Sequence, residues 1–429
     1  MAMIRPEAEM KESGIKWIGN IPRNWKMRKI NSLFENIGSG TTPNSNIEEY
    51  YQGMINWLQS GDINGTIVKS TKKHISNEIV SNTSALTVYK APFIAIAMYG
   101  ASIGNISIVD IDACTNQACC VLVKPTKDIY MQFAFWGLMA AKEELVLSSR
   151  GGGQPNISQN IIKQLRIPVP NISEQENIAD YLDKTCSKID EIIAEAKASI
   201  DEYKKLKQSV IDNATMTGIH DSEMKYTDYV WFPEMPKSWD LVLASLLFRE
   251  DVRPVDANDV SLSLSQVDGL IPTDDMSERS LKSATHDNWK HVIPDDLVLN
   301  RFKGHLGVFF ASKYTGMVSF HYGVYHAIRD DVYAKYYEYL FHSTTYKNIF
   351  ALKSNGITVG LQNLSNGNFY SVKILHPTLD EQIEIVKYLD KRIAEIDSLL
   401  AEKESLINDL EAYKKSLIYE VVTGKRRVV

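Results

Sequence analysis

The chain has 429 residues, of which 44% are hydrophobic and 23% charged, an ordinary composition for a globular protein of two or three domains. Its formal net charge of −6 argues against a free-standing nucleic-acid binder, because such proteins usually carry a basic excess, although a local basic groove stays compatible with it. The longest apolar runs are too short to span a bilayer, and no signal-peptide core follows the charged N-terminus, so we expect a cytoplasmic protein.

The chain opens with a segment that returns later. Residues 10–25 read MKESGIKWIGNIPRNW, and residues 224–239 read MKYTDYVWFPEMPKSW. The alignment places Trp17 on Trp231 and Trp25 on Trp239. Between such landmarks the two copies diverge, which suits a protein that presents two different recognition surfaces from one scaffold.

Each copy continues with β-rich sequence and an amphipathic helix. Apolar runs predict strands at 93–98, 106–109, 118–123, 297–299 and 308–310. Helical periodicity predicts one helix over 129–147 and another over 332–352. We therefore expect both domains to belong to the α/β (α+β) class. The four cysteines, which fit no zinc-binding spacing, are predicted to be reduced, buried thiols: Cys114, Cys119, Cys120 and Cys186.

Each copy ends in a long helix, and the two helices are themselves related. The segments 173–218 and 380–424 share Glu-Gln near the start, Tyr-Leu-Asp-Lys further on and Thr-Gly at the end. We predict Ser173 and Asp380 as N-caps and a glycine, Gly218 or Gly424, after each last turn. Neither segment contains an internal proline or glycine.

Both helices carry an apolar stripe at positions a, d and e of a heptad, so we expect them to pack on each other as coiled-coil partners. The alternative is that each helix packs only on its own domain. The predicted packing residues are Ile189, Ile192, Ile193, Ala196, Ile200, Tyr203, Leu206 and Val210 of the first helix and Ile396, Leu399, Leu400, Leu406, Ile407, Leu410, Tyr413 and Leu417 of the second.

The repeat divides the chain into four segments. We expect a first recognition domain at 1–172, a central long helix at 173–218, a second recognition domain at 219–379 and a C-terminal long helix at 380–429. No Asp/Asn-Pro-Pro-aromatic motif of an amino-methyltransferase and no phosphate-binding loop occurs in the sequence. The segment 100–104, GASIG, is interpreted as a turn between strands. We predict no catalytic residue and no metal site.

The order of these motifs resembles the specificity subunit of type I restriction–modification enzymes. The resemblance rests on the paired tryptophan openings and on the segments GSGTTP (38–43), INWLQSGDI (55–63), QPNI (154–157) and VVTGK (421–425). It covers nearly the whole chain. The second copy departs from the pattern, because it lacks the G-x-T-P turn and has Gln362-Asn363 in place of Gln-Pro-Asn.

The resemblance implies two pseudo-twofold-related target-recognition domains that read the two halves of a split, asymmetric DNA site. The two long helices that join them would form an antiparallel coiled coil and fix the distance between the half-sites. It implies a non-catalytic subunit in phage defence that docks two methyltransferase subunits, and restriction–translocase subunits, on its helices. S-adenosylmethionine, ATP and magnesium would then belong to the partner subunits, and the assembled complex would be an adenine-specific DNA methyltransferase and endonuclease.

Candidate DNA-contacting side chains are polar or basic residues in predicted turns, the types that reach base edges and phosphates. In the first copy they are Thr41, Thr42, Ser60, Lys69, Lys72, Lys73, Tyr99, Ser102, Arg150 and Gln154. In the second copy they are Arg253, Ser263, Ser265, Gln266, Arg301, Lys303, His305, Tyr322, Lys353 and Gln362. The turn 301–305 is the densest basic turn and the strongest single candidate. Each residue has an alternative interpretation as a solvated surface group or turn former.

Two other classes of function stay open at this point. One is a catalytic DNA methyltransferase or nuclease, which the missing motifs disfavour. The other is a coiled-coil scaffold that binds protein alone, which the two divergent domains disfavour.

Overall fold

The structure is a computed structural model that describes residues 3–149, 155–250, 252–256, 258–265, 269–276, 288–358 and 361–428, with the backbone alone at 305, 355–358 and 361–362. The chain divides into two compact units. Unit 1 comprises residues 1–196 and 406–429, and unit 2 comprises residues 197–405. Each unit therefore contains one part of both long helices.

Unit 1 combines short strands with helices. Its strands are β1 (Met3–Ile4), β2 (Met10–Glu12), β3 (Asn20–Pro22), β4 (Lys26–Lys29), β5 (Phe34–Gly38), β6 (Ile55–Leu58), β7 (Ile67–Val68), β8 (His74–Ile75), β9 (Phe93–Ala97), β10 (Ile106–Val109), β11 (Ala113–Thr115), β12 (Cys119–Pro125) and β13 (Arg166–Val169). Its helices are α1 (Asn77–Asn82), α2 (Met131–Ala140), α3 (Lys142–Leu147), α4 (Gln159–Gln164) and the first part of α5 (Ile172–Thr217).

A five-stranded sheet in the order β5-β12-β9-β10-β7 forms the centre of unit 1. Strand β12 is antiparallel to β5 and β9, and β10 is antiparallel to β9 and parallel to β7. All five residues of β9, FIAIA, are buried, as expected for a strand whose two faces are both covered. A second sheet, β11-β6-β8, packs its own apolar cluster around Trp57.

Unit 2 repeats this plan with different contents. Its strands are β14 (Met224–Tyr229), β15 (Phe232–Pro236), β16 (Asp240–Leu243), β17 (Phe248–Glu250), β18 (Leu262–Ser265), β19 (Gly269–Pro272), β20 (Lys290–Val292), β21 (Leu297–Asn300), β22 (Phe309–Ala311), β23 (Gly316–Val318), β24 (Tyr322–Ala327), β25 (Asn355–Thr358), β26 (Leu361–Asn363) and β27 (Lys373–His376). Its helices are α6 (Ala334–Phe341), α7 (Thr344–Lys353), α8 (Asn366–Tyr370) and the first part of α9 (Leu379–Val422), and β28 (Arg426–Arg427) follows α9 in unit 1.

The central sheet of unit 2 has the order β17-β24-β21-β22, which corresponds to β5-β12-β9-β10 of unit 1. The predicted strands at 93–98, 106–109, 118–123, 297–299 and 308–310 are confirmed to within a few residues. The core of unit 2 is rich in aromatic rings. Phe309, for example, lies 4.7 Å from Phe341 and 5.1 Å from Phe350, measured between ring centroids.

The two amphipathic helices of the recognition domains are each broken, so the prediction of single helices was wrong. The 129–147 segment forms α2 and α3 with a break at Ala141, which has ψ near 0°. The 332–352 segment forms α6 and α7, because the Ser343 side chain accepts a hydrogen bond from the Tyr346 N–H and starts a new helix. Helical periodicity alone does not reveal an internal N-cap.

The long helices begin slightly earlier than the sequence suggested. Asn171 caps α5 by accepting from the Glu174 N–H at 3.0 Å. Thr378 caps α9 in a reciprocal arrangement with Glu381, whose carboxylate accepts from the Thr378 N–H at 3.2 Å. The predicted N-caps Ser173 and Asp380 are therefore wrong by two residues.

Repeated side chains at the start of each long helix fasten it to its recognition domain. In unit 1, the buried Trp25 donates its ring N–H to Glu174 at 3.1 Å, and Trp136 donates to Asp183 at 2.7 Å. In unit 2, the corresponding carboxylates are Glu381, which accepts from Trp239 at 3.2 Å, and Asp390, which accepts from the Tyr339 hydroxyl at 2.5 Å. The repeated Glu and Asp of the sequence motif thus have a structural role in both copies.

The buried side of the helices follows a heptad whose phase differs from the predicted one. In α5 the buried or half-buried positions are Ile189, Ile193, Ala196, Ile200, Tyr203 and Val210, and in α9 they are Ile396, Leu400, Ile407, Leu410 and Leu417. Successive positions are four and three residues apart in alternation, or seven residues apart, which is the spacing at the seam between two paired helices. Five predicted packing residues are instead exposed by 38–47%, namely Ile192, Leu206, Leu399, Leu406 and Tyr413.

Ion pairs join the two helices within each unit. In unit 1, Lys414 of α9 donates to Asp190 of α5 at 2.6 and 2.7 Å. In unit 2, Lys207 of α5 donates to Asp397 of α9 at 2.7 and 2.8 Å. The two bridges are repeat-related, because a shift of 207 residues carries Lys207 onto Lys414 and Asp190 onto Asp397. Each pairs an early residue of one helix with a late residue of the other, as antiparallel helices do.

The four cysteines are free and buried, as predicted. Among the described residues, no group of histidine, cysteine or carboxylate side chains is arranged to hold a metal ion. In the same part of the chain, no helix is both long and apolar enough to cross a membrane.

Candidate functional site

Polar side chains collect in unit 1 where the strands of the central sheet end. This row of strand ends is called the sheet edge below. Strand β12 begins at this edge, and its antiparallel neighbours β5 and β9 end there. Thr41 and Thr42 follow β5, and Tyr99 follows β9. Residue Asn156 returns to the same edge, where it forms a bridge with Tyr99. Ser102 lies in the turn from β9 to β10, which confirms the interpretation of 100–104 as a turn between strands.

Gln117 lies at the centre of this edge, although the sequence reasoning missed it. The Thr42 hydroxyl donates to the Gln117 side-chain oxygen, and the Ser39 hydroxyl donates to the Gln117 carbonyl at 3.3 Å. The Gln117 side chain is exposed. The available signal was its position directly before the buried strand β12, where a polar pair, Asn116-Gln117, interrupts apolar sequence.

The β6 strand end joins the same edge through Asn116, whose N–H donates to the Leu58 carbonyl at 3.0 Å. Ser60 follows that strand end and is half-buried. A side chain at Gly40 is sterically excluded, because a Cβ there would lie 1.7 Å from the Thr115 carbonyl oxygen. The glycine therefore lets the threonine turn lie close against the strand before Gln117.

The lysines predicted in unit 1 occupy another place. Lys69, Lys72 and Lys73 are exposed in the connection between β7 and β8. Lys73 lies over the Tyr51 ring at 6.0 Å from its centroid. Arg150 and Gln154 lie outside the described residues. The structure thus brings Thr41, Thr42, Ser60 and Tyr99 together and leaves the lysines apart from them.

The register of strands β21 and β24 locates the corresponding edge of unit 2. Asn300 pairs with Tyr322 where β21 ends and β24 begins, just as Ala97 pairs with Cys119 in unit 1. Continuing both pairs by two residues places Phe302 where unit 1 has Tyr99, and Phe320 where unit 1 has Gln117. The Phe302 and His321 ring centroids are 4.9 Å apart.

Arg301, the strongest candidate of the sequence analysis, is held inside unit 2. Its guanidinium donates to Glu250 at 2.6 Å and to Asn366 at 2.6 Å. Lys290 also donates to Glu250, at 2.7 Å. Burial raises the pKa of Glu250, but the hydrogen bonds from Lys290 and Asn366 and the Arg301 charge outweigh burial and lower it overall. Arg301 therefore neutralises a half-buried carboxylate in this structure, and its role as a DNA contact stays a prediction.

Arg253 is likewise engaged within unit 2. It forms a two-point ion pair with the buried Asp296, at 2.8 and 2.9 Å. Such planar pairing fixes the guanidinium in place. The sequence gives no local sign of this contact, because the two residues lie 43 positions apart. The role of Arg253 as a DNA contact stays a prediction, and in this structure its guanidinium is paired with Asp296.

The other candidates of unit 2 are dispersed. Ser263 shares a hydrogen bond with Thr273 at 2.9 Å, and Lys353 donates to the Ser371 hydroxyl at 3.1 Å. Ser265 ends β18, and Tyr322 is half-buried at the start of β24. Lys303 is exposed beside Phe302. Gln266 and the side chains of His305 and Gln362 lie outside the described residues.

The family model for the type I restriction modification DNA specificity domain matches residues 22–202 and 273–408. A specificity subunit of the type I restriction enzyme MjaIX from Methanocaldococcus jannaschii is 25% identical over 248 residues, which cover 56% of this chain and 55% of that protein. The EcoR124I/EcoR124II specificity subunit from Escherichia coli is 26% identical over 152 residues, 34% of this chain and 37% of that protein. The chain thus aligns with about half the length, or less, of these curated relatives.

Two solved structures share the fold. A chain from a study of assembly and conformational transition of the type I R-M system superposes with a TM-score of 0.70 at 14% identity, covering 94% of this chain and 99% of that one. The HsdS subunit from Thermoanaerobacter tengcongensis gives a TM-score of 0.55 at 13% identity, covering 94% and 98%.

Proposed function

Because the chain belongs to the family of type I restriction–modification DNA specificity domains, we propose that it is the DNA sequence-recognition subunit of such a complex. In this role it binds a bipartite, asymmetric site on double-stranded DNA, with one half-site read by each unit. The complex acts in the cytoplasm as a defence against foreign DNA such as that of phages.

One observation carries the proposal. The same sheet edge is present in both units, yet its side chains differ, with the half-buried Tyr99 and the exposed Gln117 in unit 1 and the exposed Phe302 and Phe320 in unit 2. The helix anchors, by contrast, are repeated. A shared frame with different exposed edges is what two different half-sites require, because base readout depends on the side chains presented to the groove.

The exposed apolar residues of the long helices support two partner-docking surfaces. Unit 1 exposes Ile192, Leu406 and Tyr413, and unit 2 exposes Leu399 and Leu206. The repeat shift of 207 residues relates Ile192 to Leu399 and Leu206 to Tyr413. Apolar side chains on the outside of a helical seam are typical of a surface that another protein covers. We assign each of these surfaces to one methyltransferase subunit.

The chain itself carries out no chemistry in this proposal. S-adenosylmethionine is bound by the methyltransferase subunits, and ATP and magnesium by restriction–translocase subunits that join the assembly. This chain contributes the choice of DNA sequence and the surfaces on which its partners assemble.

The test is a genome-wide map of methylated adenines in cells that express the cognate methyltransferase subunit with or without this chain. We expect a split, asymmetric motif that appears only with the chain. A variant that changes the unit 1 edge, Gln117→Ala, should relax one half of that motif and leave the other half intact. The matched control is Gln52→Ala, an exposed glutamine of the same unit outside the edge.

The remaining candidate function is a scaffold that binds protein alone. It predicts a complex that assembles normally while no methylated motif depends on the chain. That result would reject the recognition proposal.

A further inference from the structure

An aromatic patch is exposed at the sheet edge of unit 2. It consists of Phe302, Phe320 and His321, and the two phenylalanines are exposed by 39% and 52%. The His321 ring centroid lies 3.7 Å from that of Phe320 and 4.9 Å from that of Phe302, so the three rings form one surface. Exposed phenylalanines are costly in a monomer, and a contiguous group of them marks a binding surface.

The patch occupies the place where unit 1 presents polar groups. By strand register, Phe302 corresponds to Tyr99 and Phe320 to Gln117. The hydroxyl and the carboxamide of unit 1 can exchange hydrogen bonds with base edges, whereas the phenyl rings of unit 2 cannot. The two units therefore offer chemically different contacts to their half-sites.

The surroundings of the patch fit DNA rather than a second apolar protein surface. Lys303 is exposed next to Phe302, in a position to contact a phosphate. Arg301, which could otherwise read guanine, is committed to Glu250 and Asn366. In the major groove the one apolar group that a base pair presents is the C5-methyl of thymine, and phenyl rings are suited to contact it.

We propose that unit 2 recognises thymine methyl groups in its half-site through the Phe302–Phe320 aromatic patch. The inference rests on the proposed function, and it adds the chemical identity of the contact. The half-site read by unit 2 then contains at least one thymine whose methyl group is required, while recognition by unit 1 depends on hydrogen bonds.

The experiment uses the assembled complex of this chain with its methyltransferase subunits and a duplex that contains the mapped motif. Each thymine of the motif, on either strand, is replaced in turn by deoxyuridine, which lacks only the methyl group. We expect replacement in the unit 2 half-site to weaken binding about three- to fourfold per contacted methyl, as burial of one methyl group predicts. Replacement in the unit 1 half-site should change affinity by less than about twofold.

Variants then connect the effect to the patch. Phe320→Gln introduces the side chain that unit 1 carries at the same place, and Phe302→Gln removes the second ring, since tyrosine there would keep an aromatic face for the methyl group. Both positions are exposed, so melting temperature should stay unchanged. We expect each variant to bind the thymine duplex more weakly and to lose the distinction between thymine and deoxyuridine. Lys303→Ala, the matched control, should weaken binding to both duplexes equally and keep the distinction.

The outcomes separate the two proposals. If the motif depends on the chain but deoxyuridine has no effect in either half-site, or the variants keep the full distinction, the methyl contact is wrong and the recognition role stands. If methylation shows no chain-dependent motif, the recognition role fails and the inference fails with it. Assignment of half-sites to units comes from the Gln117→Ala motif change, which involves no residue of the patch.

Discussion

Two buried glutamines illustrate how single residues hold a recognition domain to its helix. Gln175 donates to the carbonyls of Asp128 and Pro170 at 3.0 and 2.9 Å and accepts from the Tyr130 N–H at 2.8 Å. Gln382 makes the equivalent three hydrogen bonds in unit 2. A side chain with two donors and an acceptor thus satisfies three backbone groups that have no ladder partner.

Replacing Gln175 by leucine should lower the free energy of unfolding of unit 1 by about 2–4 kcal/mol, because buried backbone groups would lose their partners. Denaturant unfolding measures this change. Gln52→Leu, at an exposed position of the same unit, should change the same free energy by less than about 0.5 kcal/mol. Equal effects at both positions would contradict the anchoring role.

His342 gives unit 2 a pH dependence. Burial and the charges of Lys347 and Lys335 lower the pKa of His342 to about 3. The folded state thus favours the neutral ring, and its stabilisation is complete above the unfolded pKa of about 6.5 and is lost as the pH falls from there towards 3. Between these values the slope is at most about 1.4 kcal/mol per pH unit.

His342→Gln should therefore flatten the fall in the free energy of unfolding between pH 6.5 and 4. Thermal melting across this range compares it with the parent chain. The control is His220→Gln, an exposed histidine of the same unit, which should leave the profile unchanged. A parent-like slope in His342→Gln would show that other groups control acid stability.

Arg301 and Arg253 show why the partners of individual side chains are hard to predict from sequence. Both stand in basic or turn-rich sequence, and both pair with carboxylates distant in the chain, Glu250 and Asp296. A local pattern can find an arginine in a turn, but the acid that holds it is placed there by strand pairing. Gln117 was missed for the opposite reason, because nothing in its sequence neighbourhood is basic.

At the scale of elements, the docking surfaces on the helices can be tested one at a time. Ile192→Ser with Tyr413→Ser removes the exposed apolar residues of unit 1 that have repeat partners, and Leu399→Ser with Leu206→Ser removes those of unit 2. Each pair should reduce the number of bound methyltransferase subunits from two to one, as measured by native mass spectrometry. Lys188→Ser, at an exposed position of α5, should retain two. Retention of both subunits in either paired variant would contradict the assignment.

The lengths of α5 and α9, 46 and 44 residues, give a second prediction. Deleting residues 197–203 together with 401–407 removes seven residues from each helix and keeps the heptad phase. The helices become about 10 Å shorter, so the spacer between half-sites should shorten by up to about three base pairs. The methylation map measures the spacer. An unchanged spacer would contradict the view that the helices set the distance.

Sequence periodicity predicted the long helices, their terminal glycines and most of the buried stripe, but it also placed at the seam the d positions, which are exposed. An a/d/e stripe contains two possible seams, and the sequence does not say which one meets the partner. The structure buries Ile193 and exposes Ile192. The lysines Lys207 and Lys414 are half-exposed at the seam and form ion pairs with Asp397 and Asp190 of the other helix. Polar residues at such positions fix the register of the two paired helices.

At the scale of the whole molecule, the net charge of −6 limits how tightly this chain alone should hold DNA. We expect the isolated chain to bind its site weakly and the complex with methyltransferase subunits to bind tightly. The slope of log affinity against log salt should be at least about two units shallower for the isolated chain, since partner subunits supply phosphate contacts. Fluorescence anisotropy over a salt series measures both slopes. Tight, site-specific binding by the chain alone would contradict this expectation.

The duplicated plan could be read from the sequence because the anchors repeat: Trp25 and Trp239, Glu174 and Glu381, Asp183 and Asp390. These residues hold the long helix to the recognition domain in both units, so the same residue types recur in the two copies of the sequence. The residues of the two sheet edges do not recur in the sequence, because in the proposed function each edge contacts a different half-site. The general plan was therefore predictable, and the exposed surface at each edge required the strand register.

The pairing of β1 with β28, in which Met3 lies opposite Arg427, has a consequence for biosynthesis. Residues 406–428 belong to unit 1, yet the ribosome produces them after all of residues 197–405. All residues of unit 2 have therefore been synthesised by position 405, whereas unit 1, begun first, lacks part of its sequence until residues 406–428 follow. A chain truncated at position 405 would lack the α9 and β28 residues of unit 1 and would keep every residue of unit 2.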